Sequence, residues 1–475
     1  MKRRNLLLIF LCMAFMQLFN SGCNKENGFD EPAGNQKLPP PKVDASFLSV
    51  SDPTLGKEGD FYYIVSSNAA IEGIDYAKGL LIRKTSNLYE FEPMTTANGY
   101  ILNDVLEGWA IARLKALDGT INADLIKIGQ PCLRKINDEW RLYYSVSAGG
   151  KTSVIGYASA ATPEGPWTDE GEILSSSNTS PFAANSPSVT LSSDNSKLYM
   201  AFGNSGEGIF AVEINLTTNQ PIGTPVKIAS RADINVISTS PELFYHDGYY
   251  HLMFTHYWDD RPLTCHVLSA DPLSGYKDIS GRNAVGIVDP WALTRVMTNF
   301  KIAGETAWEG VGGLGVYKDG NKFFVVHHAT AAGVPAPILH IREMNWIKDP
   351  RRATGATLPF PTISPERYAG EVENNITAAD IAGTIYYGTL WGHVLSGVDY
   401  GMTFNANGTY NGGTWDFDPS SKILRLISSE WGGEKVYVYL IKSKVLDKPD
   451  ATVIVGAGIN DTFGDFPGVW MKKAN

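Results

Sequence analysis

The hydrophobic and polar positions repeat one design five times along the chain. Each copy opens a short apolar strand, passes through a pair of turn residues, and continues into an aromatic-rich strand. The copies begin at residues 52, 130, 186, 240 and 313. Their turn pairs include Glu58-Gly59 and Asp247-Gly248, and such pairs tolerate the positive φ angles that tight hairpins need. Each copy is therefore predicted to be a β-hairpin.

Four of the five copies open on a residue followed by proline, and the fifth opens on Gly313-Leu314. Proline lacks a backbone donor and fits the start of a strand. Further strand patterns follow the hairpins, as in residues 153–158 and 265–268. A repeated unit of this kind predicts the blades of a propeller. The fold class is thus all-β, with a five-bladed β-propeller over residues 45–365; a β-helix or a sandwich remains the alternative.

The pattern changes after a proline-rich crossover at residues 357–369. Strand-like stretches then follow one another, with a strong hairpin turn at Asn407-Gly408. Residues 366–475 are long enough to form their own core. They are predicted to be a small antiparallel β-barrel or sandwich.

The first residues are typical of a targeting segment. Basic residues at positions 2–4 precede an apolar run, Leu6 to Phe19, that is too short for a membrane span, and the run ends in Asn20-Ser21-Gly22-Cys23. This ending resembles a bacterial lipoprotein processing site, so residues 1–22 are predicted to be a signal peptide and Cys23 the lipidated residue. An ordinary secretory signal is the alternative. Residues 23–44 are predicted to be a tether, placing the protein in the cell envelope, in the periplasm or at the cell surface, with a bacterial outer membrane as the expected anchor.

The composition limits which partners the protein can bind and how its cysteines can be used. The net charge is −10, which disfavours nucleic acid as a partner because no basic face offsets phosphate repulsion. Cys12 would leave with the signal, so Cys132 and Cys265 remain inside the predicted propeller. They either form a disulfide in an oxidising compartment or stay as buried free thiols.

Candidate chemistry lies beside the prolines. In a propeller the innermost strand of each blade starts at the mouth of a central tunnel, and residues on either side of the proline are two apart, which places them on one face of a regular strand. The residues before the proline position are Asp52, Gln130, Ser186, Ser240 and Gly313; those after it are Thr54, Cys132, Ser188, Glu242 and Gly315. Asp52 and Glu242 are the two carboxylates in this set, and two carboxylates across a cavity are the minimum for glycoside hydrolysis.

These units resemble family 43 of the glycoside hydrolases, the five-bladed arabinanases and xylosidases, over most of residues 47–365. The resemblance rests on Asp52-Pro53 with Tyr62-Tyr63, on the segments 142–147, 165–169 and 243–250, and on the closing segments 327–329 and 364–368. The C-terminal part is similar to the small β-domain that some bacterial endo-arabinanases carry. A polysaccharide or oligosaccharide such as arabinan is the implied partner, and a monomer is expected.

The resemblance carries roles onto particular residues. It implies that Asp52 is the general base. The family aspartate that tunes the acid corresponds to Ser186, and the family's general-acid glutamate corresponds to Thr239. Cys132 replaces an aspartate and Gly313 falls at an ion-binding histidine of arabinanases. His328 is placed near the tunnel, where calcium or another ion would bind, although no cofactor is required.

Two interpretations follow for the reaction. In the first, Glu242 is a relocated acid whose pKa burial would raise, with Glu309 as a further candidate. In the second, the site is degenerate and binds glycan without cutting it. Gln130, Ser186, Thr239, Trp258 and Trp308 are the predicted substrate-binding residues. A structural surface protein is a third, weaker class, and a solvated Glu242 or one paired with Arg231 is the alternative to catalysis.

Overall fold

The structure is a computed structural model that describes the following residues: 47–68, 79–93, 101–102, 108–122, 125–233, 238–258, 261–288, 293–302, 305–334, 336–348, 358–389, 400–429, 433, 435–461 and 468–474. The predicted signal peptide, Cys23 and the tether lie outside these residues. No helix within the described ranges has the length and apolar character needed to cross a membrane.

Five antiparallel sheets form the blades of a propeller, which confirms the predicted fold. Blade one contains β1 (Val50–Glu58), β2 (Phe61–Asn68), β3 (Leu81–Thr85) and β4 (Glu92–Pro93). Blade two contains β5 (Lys127–Ile136), β6 (Glu139–Ser147), β7 (Ser153–Ala160) and β8 (Thr168–Ser176). Blade three contains β9 (Ser188–Leu191), β10 (Leu198–Phe202), β12 (Ile209–Ile214) and β13 (Pro221–Ala229). Blade four contains β14 (Ser238–His246), β15 (Tyr249–Trp258), β16 (Arg261–Ser269) and β17 (Arg295–Thr298), with the short β11 (Asn204–Ser205) on its edge. Blade five contains β18 (Glu309–Asp319), β19 (Lys322–Thr330), β20 (Ile338–Lys348) and β21 (Pro359–Ile363).

The first two strands of each blade are the predicted hairpins. Their turns contain positive φ angles, as at Gly59 (59°), Asn195 (57°) and Gly248 (87°), which is the geometry that tight hairpins require. The second strands carry the aromatic and aliphatic residues, and these pack between neighbouring blades; Trp140, Tyr144 and Phe254 are buried there. The core therefore lies between the sheets, as the aromatic-rich second strands predict.

The first strands β1, β5, β9, β14 and β18 stand next to one another around the central axis. Blade five closes the ring against the start of blade one. Leu48 bridges Ile338, and the Val50 N–H donates to the Pro337 carbonyl at 3.2 Å. The two ends of the propeller are thus held by backbone pairing across the whole domain.

A helix and a short helical turn interrupt the strands. Helix α1 (Trp109–Leu117) packs on β7 and β8, and the Trp109 indole donates to Asp169 at 2.8 Å. Helix α2 (Ala378–Ile381) begins with a capping box, in which Thr377 and Asp380 satisfy each other's backbone donors. It leads the chain into the C-terminal domain.

The C-terminal domain is a closed barrel of eight antiparallel strands, so the barrel alternative of the prediction is the correct one. Its strands are β22 (Gly383–Thr389), β23 (Tyr400–Phe404), β24 (Thr409–Tyr410), β25 (Gly413–Asp418), β26 (Ile423–Ser428), β27 (Lys435–Val445), β28 (Lys448–Asn460) and β29 (Gly468–Lys473). Strand β29 packs against the propeller. Trp470 lies edge-on to Phe300 with 4.7 Å between ring centres, and Arg342 of blade five lies 5.2 Å from the Trp470 ring centre. Lys472 pairs with Glu305 and Glu366.

Cys132 and Cys265 are both buried free thiols. Of the two alternatives from the sequence, the disulfide is therefore not formed in this structure.

Candidate active site

A small cavity lies at the mouth of the central tunnel, where the first strands begin. Its volume is about 30 Å³, which is room for one or two water molecules. All five residues that precede the proline position line it, as the sequence predicts: Asp52, Gln130, Ser186, Ser240 and Gly313. The lining contains two carboxylates, those of Asp52 and Glu242.

The five mouth residues share an unusual backbone conformation. Their φ angles are 47°, 53°, 55°, 50° and 56° for Asp52, Gln130, Ser186, Ser240 and Gly313. In blades one, two, four and five the strand pairing also shifts register at this point. A left-handed residue beside a register shift is a bulge that re-aims side chains. The regular alternation assumed from sequence is therefore broken. Of the residues after the proline position, Cys132 and Ser188 do not line the mouth, whereas Thr54, Glu242 and Gly315 do.

The backbone of these strained residues is held by the preceding blade around the ring. The Asp52 N–H donates to His328 Nδ1 at 3.1 Å, the Gln130 N–H to Ser67 Oγ at 2.7 Å, and the Ser186 N–H to Ser145 Oγ at 2.9 Å. In each case the acceptor lies on the second strand of its blade. The mouth is thus a ring whose members are positioned by their neighbours.

Asp52 presents a partly exposed carboxylate at this ring. Its oxygens accept from Ser51 Oγ at 3.1 Å and from Ser240 Oγ at 3.4 Å. Gly313 makes the arrangement possible, because a Cβ at this position would collide with Asp52 Oδ1 and with the His328 ring. The side chain that the sequence favoured for chemistry is therefore held at the mouth without a cationic partner among the contacts that the structure describes.

His328 lies beside Asp52, where the resemblance placed it. Burial lowers the pKa of its imidazole, and the charge of Asp52 opposes that shift only in part. A neutral His328 is consistent with Nδ1 accepting the Asp52 N–H. Within the described ranges no group of three or more His, Cys, Asp or Glu side chains could hold a metal ion. An ion at His328 stays a prediction.

Tyr257 is a residue that sequence reasoning missed. Burial raises the pKa of its phenol, and the nearby charge of Asp52 raises it further. Its side chain is nevertheless 40% exposed, so the ring lies near Asp52 with a free surface. The adjacent Trp258 is the residue predicted from the sequence; its backbone ends β15, and its side chain lies outside the described residues.

The residues after the proline position form a second ring, whose members make hydrogen bonds between blades. Each side chain accepts a backbone N–H from the next blade. The acceptor and donor residues are Thr54 and Leu133 (3.1 Å), Cys132 and Val189 (3.5 Å), Ser188 and Leu243 (2.9 Å), and Glu242 and Val316 (2.9 Å). The fifth member, Gly315, has no side chain and approaches Pro53 closely. Glu242 therefore occupies a repeated structural position.

Glu242 is fully engaged in this ring. Its Oε1 accepts from Arg134 Nη2 at 2.7 Å as well as from Val316, and its Oε2 accepts from Ser188 Oγ at 2.8 Å. The residue is 4% exposed. The two alternatives to catalysis that were predicted from the sequence do not describe Glu242. It does not face solvent, and its ion pair is with Arg134 rather than with Arg231. The contacts favour a structural role, and its role as the acid stays an untested prediction.

The remaining predicted residues lie at different depths. Gln130 and Ser186 line the mouth, and the buried Ser186 hydroxyl makes no hydrogen bond in the described part of the chain. Thr239 is 7% exposed and bonds Ser240 Oγ at 3.3 Å, just outside the cavity lining. Trp308 is 7% exposed and packs edge-on against His340, so the structure places it in the core. Glu309, in contrast, is exposed at the start of β18 and does not line the mouth.

Chemically, the mouth offers one available carboxylate, a neutral imidazole behind it, and hydroxyl and amide groups around it. A carboxylate held in this way serves as a general base or a hydrogen-bond acceptor for a hydroxylated ligand. Glycoside hydrolysis needs in addition a proton donor for the leaving oxygen. Within the cavity lining, the other carboxyl group is the engaged Glu242.

Known proteins resemble the chain over both domains. It is 28% identical over 321 residues to the extracellular endo-α-(1→5)-L-arabinanase 1 of Bacillus subtilis, covering 64% of this chain and 87% of the relative. It is 24% identical over 329 residues to the extracellular exo-α-(1→5)-L-arabinofuranosidase ArbA of Cellvibrio japonicus, covering 64% and 85%. The crystal structure of an endo-1,5-α-L-arabinanase from Thermotoga petrophila matches the fold with a TM-score of 0.74 at 18% identity, covering 91% of this chain and 100% of that one.

The model of one enzyme family, the glycosyl hydrolases family 43, matches residues 47–350. This range contains the described propeller strands from β1 to β20 and all five mouth residues. The chain belongs to glycosyl hydrolase family 43.

Proposed function

We propose that this protein hydrolyses α-1,5-linked arabinan or a related plant polysaccharide, with Asp52 as the general base that activates water. The observation that carries the proposal is the position of the Asp52 carboxylate at the propeller mouth, with no cationic partner among the described residues and with the neutral His328 behind it. Attack by a water activated in this way inverts the anomeric carbon. The arabinan-cleaving relatives support the choice of substrate.

A second candidate function is glycan binding without cleavage. The specific observation in its favour is that Glu242 accepts three hydrogen bonds, one of them from Arg134, in a repeated structural position. The residues at the family's acid and acid-tuning positions, by resemblance, are Thr239 and Ser186. Hydroxyl groups of Thr and Ser do not act as acids near pH 7.

Reducing ends released from linear arabinan separate the two functions. Wild type is compared with Asp52→Asn, which keeps the size of the side chain and one acceptor oxygen but removes the base. Loss of a general base typically costs about 10²- to 10⁴-fold in rate, so hydrolysis should fall by that factor. Asp138→Asn, in an exposed turn of blade two, is the matched control and should behave as wild type. Equal background release from wild type and Asp52→Asn, with arabinan still bound, would establish the binding function instead.

Cleavage of an aryl α-L-arabinofuranoside tests directly whether the site contains a general acid. Its phenolate leaving group departs without protonation, so an enzyme that has a base and lacks an acid cleaves it while leaving arabinan intact. Asp52-dependent cleavage of the aryl glycoside alone would show a base without an acid. Asp52-dependent cleavage of both substrates would require a proton donor at the mouth. The anomeric form of the first product, read by NMR, tests inversion.

We further propose that the protein works outside the cytoplasm, held by a lipid on Cys23 and as a monomer. The relatives named above are described as extracellular, which supports the location. Changing Cys23→Ser should move the full chain from the membrane fraction to the soluble fraction. Cys12→Ser, inside the predicted signal, is the control and should leave it membrane-bound. An unchanged membrane fraction in Cys23→Ser would remove the anchor from the proposal.

A further inference from the structure

A second cavity lies at the other end of the tunnel from the mouth. We call it the rear pocket; its volume is about 300 Å³, at the lower end of the range for small-molecule sites. It is lined at the carboxyl ends of three first strands, by Ile136 of β5, Thr190 of β9 and Tyr245 of β14 among others. The mouth residues stand at the amino ends of the same strands. The rear pocket is therefore separate from the candidate active site.

The Arg134–Glu242 ion pair stands between the two cavities. Glu242 lines the mouth, Arg134 lines the rear pocket, and the two side chains meet at 2.7 Å. Arg134 also donates from Nε to the Val189 carbonyl at 3.1 Å. The two cavities therefore have separate linings that meet at this ion pair, and a ligand in the rear pocket would reach it from the opposite face of the propeller.

Polar groups without partners line the rear pocket. In the described part of the chain, the side chains of Ser193, Asn195 and Tyr245 line it and make no hydrogen bond to another residue. Thr190 Oγ1 makes one long bond, 3.5 Å, to the neighbouring Leu191 carbonyl. Hydroxyl and amide groups both donate and accept. They match a ligand that carries many hydroxyl groups.

The charges around the rear pocket favour a neutral ligand. Among the residues that the structure describes, no carboxylate lines it. The charge of Arg134 is neutralised by Glu242, and the Lys135 ammonium is paired with Glu58 at 3.0 Å. The ring of Tyr245, held edge-on by Tyr250 with 5.1 Å between ring centres, adds the aromatic surface on which sugar C–H groups pack.

We propose that the rear pocket is a second carbohydrate site, which binds a neutral mono- or disaccharide. The proposal rests on the proposed function only for the choice of probe, arabinobiose; the pocket does not contain Asp52 and needs no hydrolysis. Occupancy there would hold the protein on a glycan by the face opposite to the mouth.

Calorimetric titration of arabinobiose into the full chain tests this site. The Asp52→Asn variant serves as the background, because it prevents turnover. Ser193→Trp, at an exposed position, should fill the pocket and remove one binding site per chain. Thr217→Trp, exposed in another turn of blade three, is the matched control and should keep the number of sites. Tyr245→Phe, which removes one hydroxyl, should weaken that site by about two- to tenfold.

The outcomes separate this proposal from the proposed function. If the mouth does not bind arabinobiose, one site should remain, and Ser193→Trp should abolish it. The same number of sites in the Ser193→Trp and Thr217→Trp variants would overturn the rear pocket as a carbohydrate site. Binding of digalacturonate in place of arabinobiose, lost at high salt, would overturn the neutral class of ligand.

Discussion

At the scale of the residue, Glu242 is a charged member of a ring whose other side-chain acceptors are two hydroxyls and a thiol. Thr54, Cys132 and Ser188 perform the same backbone contact without a charge. A charge at 4% exposure needs a partner, and Arg134 supplies it. Arg134 in turn contacts blade one through Thr54 Oγ1 at 3.4 Å. With Ser188 and Val316, the pair therefore contacts all five blades.

Replacing Arg134 with methionine should leave Glu242 buried without a counter-charge. We expect Arg134→Met to lower the free energy of unfolding by about 3–5 kcal/mol, measured by urea denaturation. Lys135→Met is the matched control; its partner Glu58 is exposed, so the change should stay within about 1 kcal/mol. The double variant Arg134→Met/Glu242→Gln should recover most of the loss. A single Arg134→Met variant as stable as the control would contradict a structural ion pair.

At the scale of the element, the first strand of each blade carries a left-handed residue immediately before the proline position. Residues other than glycine avoid this conformation, at a cost of order 1–3 kcal/mol, and the neighbouring blade compensates by accepting the strained N–H. Ser67 does this for Gln130, at 2.7 Å. The same conformation recurs at all five mouth residues. The bulge there directs their side chains toward the cavity.

Gln130 offers a direct test of that conformation. We expect Gln130→Val to lower the free energy of unfolding by about 1–3 kcal/mol, because a β-branched residue is strongly disfavoured at a φ of 53°. Gln130→Gly removes the same side chain at no steric cost and should stay within about 1 kcal/mol of wild type. Urea denaturation of both variants measures this, and equal stability of the two would exclude backbone strain.

The sequence predicted the hairpins because their signals are local: turn pairs that accept positive φ, and strands of fixed alternation. The bulge escaped prediction because a proline after a polar residue is equally compatible with a regular strand. Arg134 escaped for a different reason. It lies four residues after Gln130, and its partner Glu242 is on another blade, so only the packing of the blades brings them together. The position of Asp52 at the mouth was predictable, since it is defined within one strand.

At the scale of the whole molecule, the propeller buries many histidines in neutral form. Burial lowers the pKa of His251 and of His256 to about 3, and it lowers the pKa of His266, His327 and His340 as well. His251 Nδ1 bonds His266 Nε2 at 2.9 Å, and His256 Nδ1 bonds Ser238 Oγ at 2.9 Å. A proton on these rings would place a charge inside the core.

The stability of the fold should therefore fall in mild acid. The unfolded chain protonates its histidines below pH about 6.5 and the folded chain does not, so the unfolded state binds more protons as the pH decreases. Each such histidine then costs up to about 1.4 kcal/mol per pH unit. We expect a lower free energy of unfolding at pH 5.5 than at pH 7.5, by urea denaturation. His256→Asn removes one of these histidines and should reduce this free-energy difference by the contribution of one histidine, up to about 1.4 kcal/mol per pH unit. A free energy of unfolding in wild type that does not change with pH would contradict the neutral core histidines.

The closure of the ring has a consequence for how the chain folds. The Asp52 N–H finds its acceptor in His328, 276 residues later, and Val50 pairs with Pro337. Contacts of such sequence separation form late, because a large loop must be closed first. During synthesis, the start of β1 would lack these partners until blade five is available, and unpaired backbone groups can pair with other chains. Asp52 thus takes its position at the mouth only when the last blade arrives.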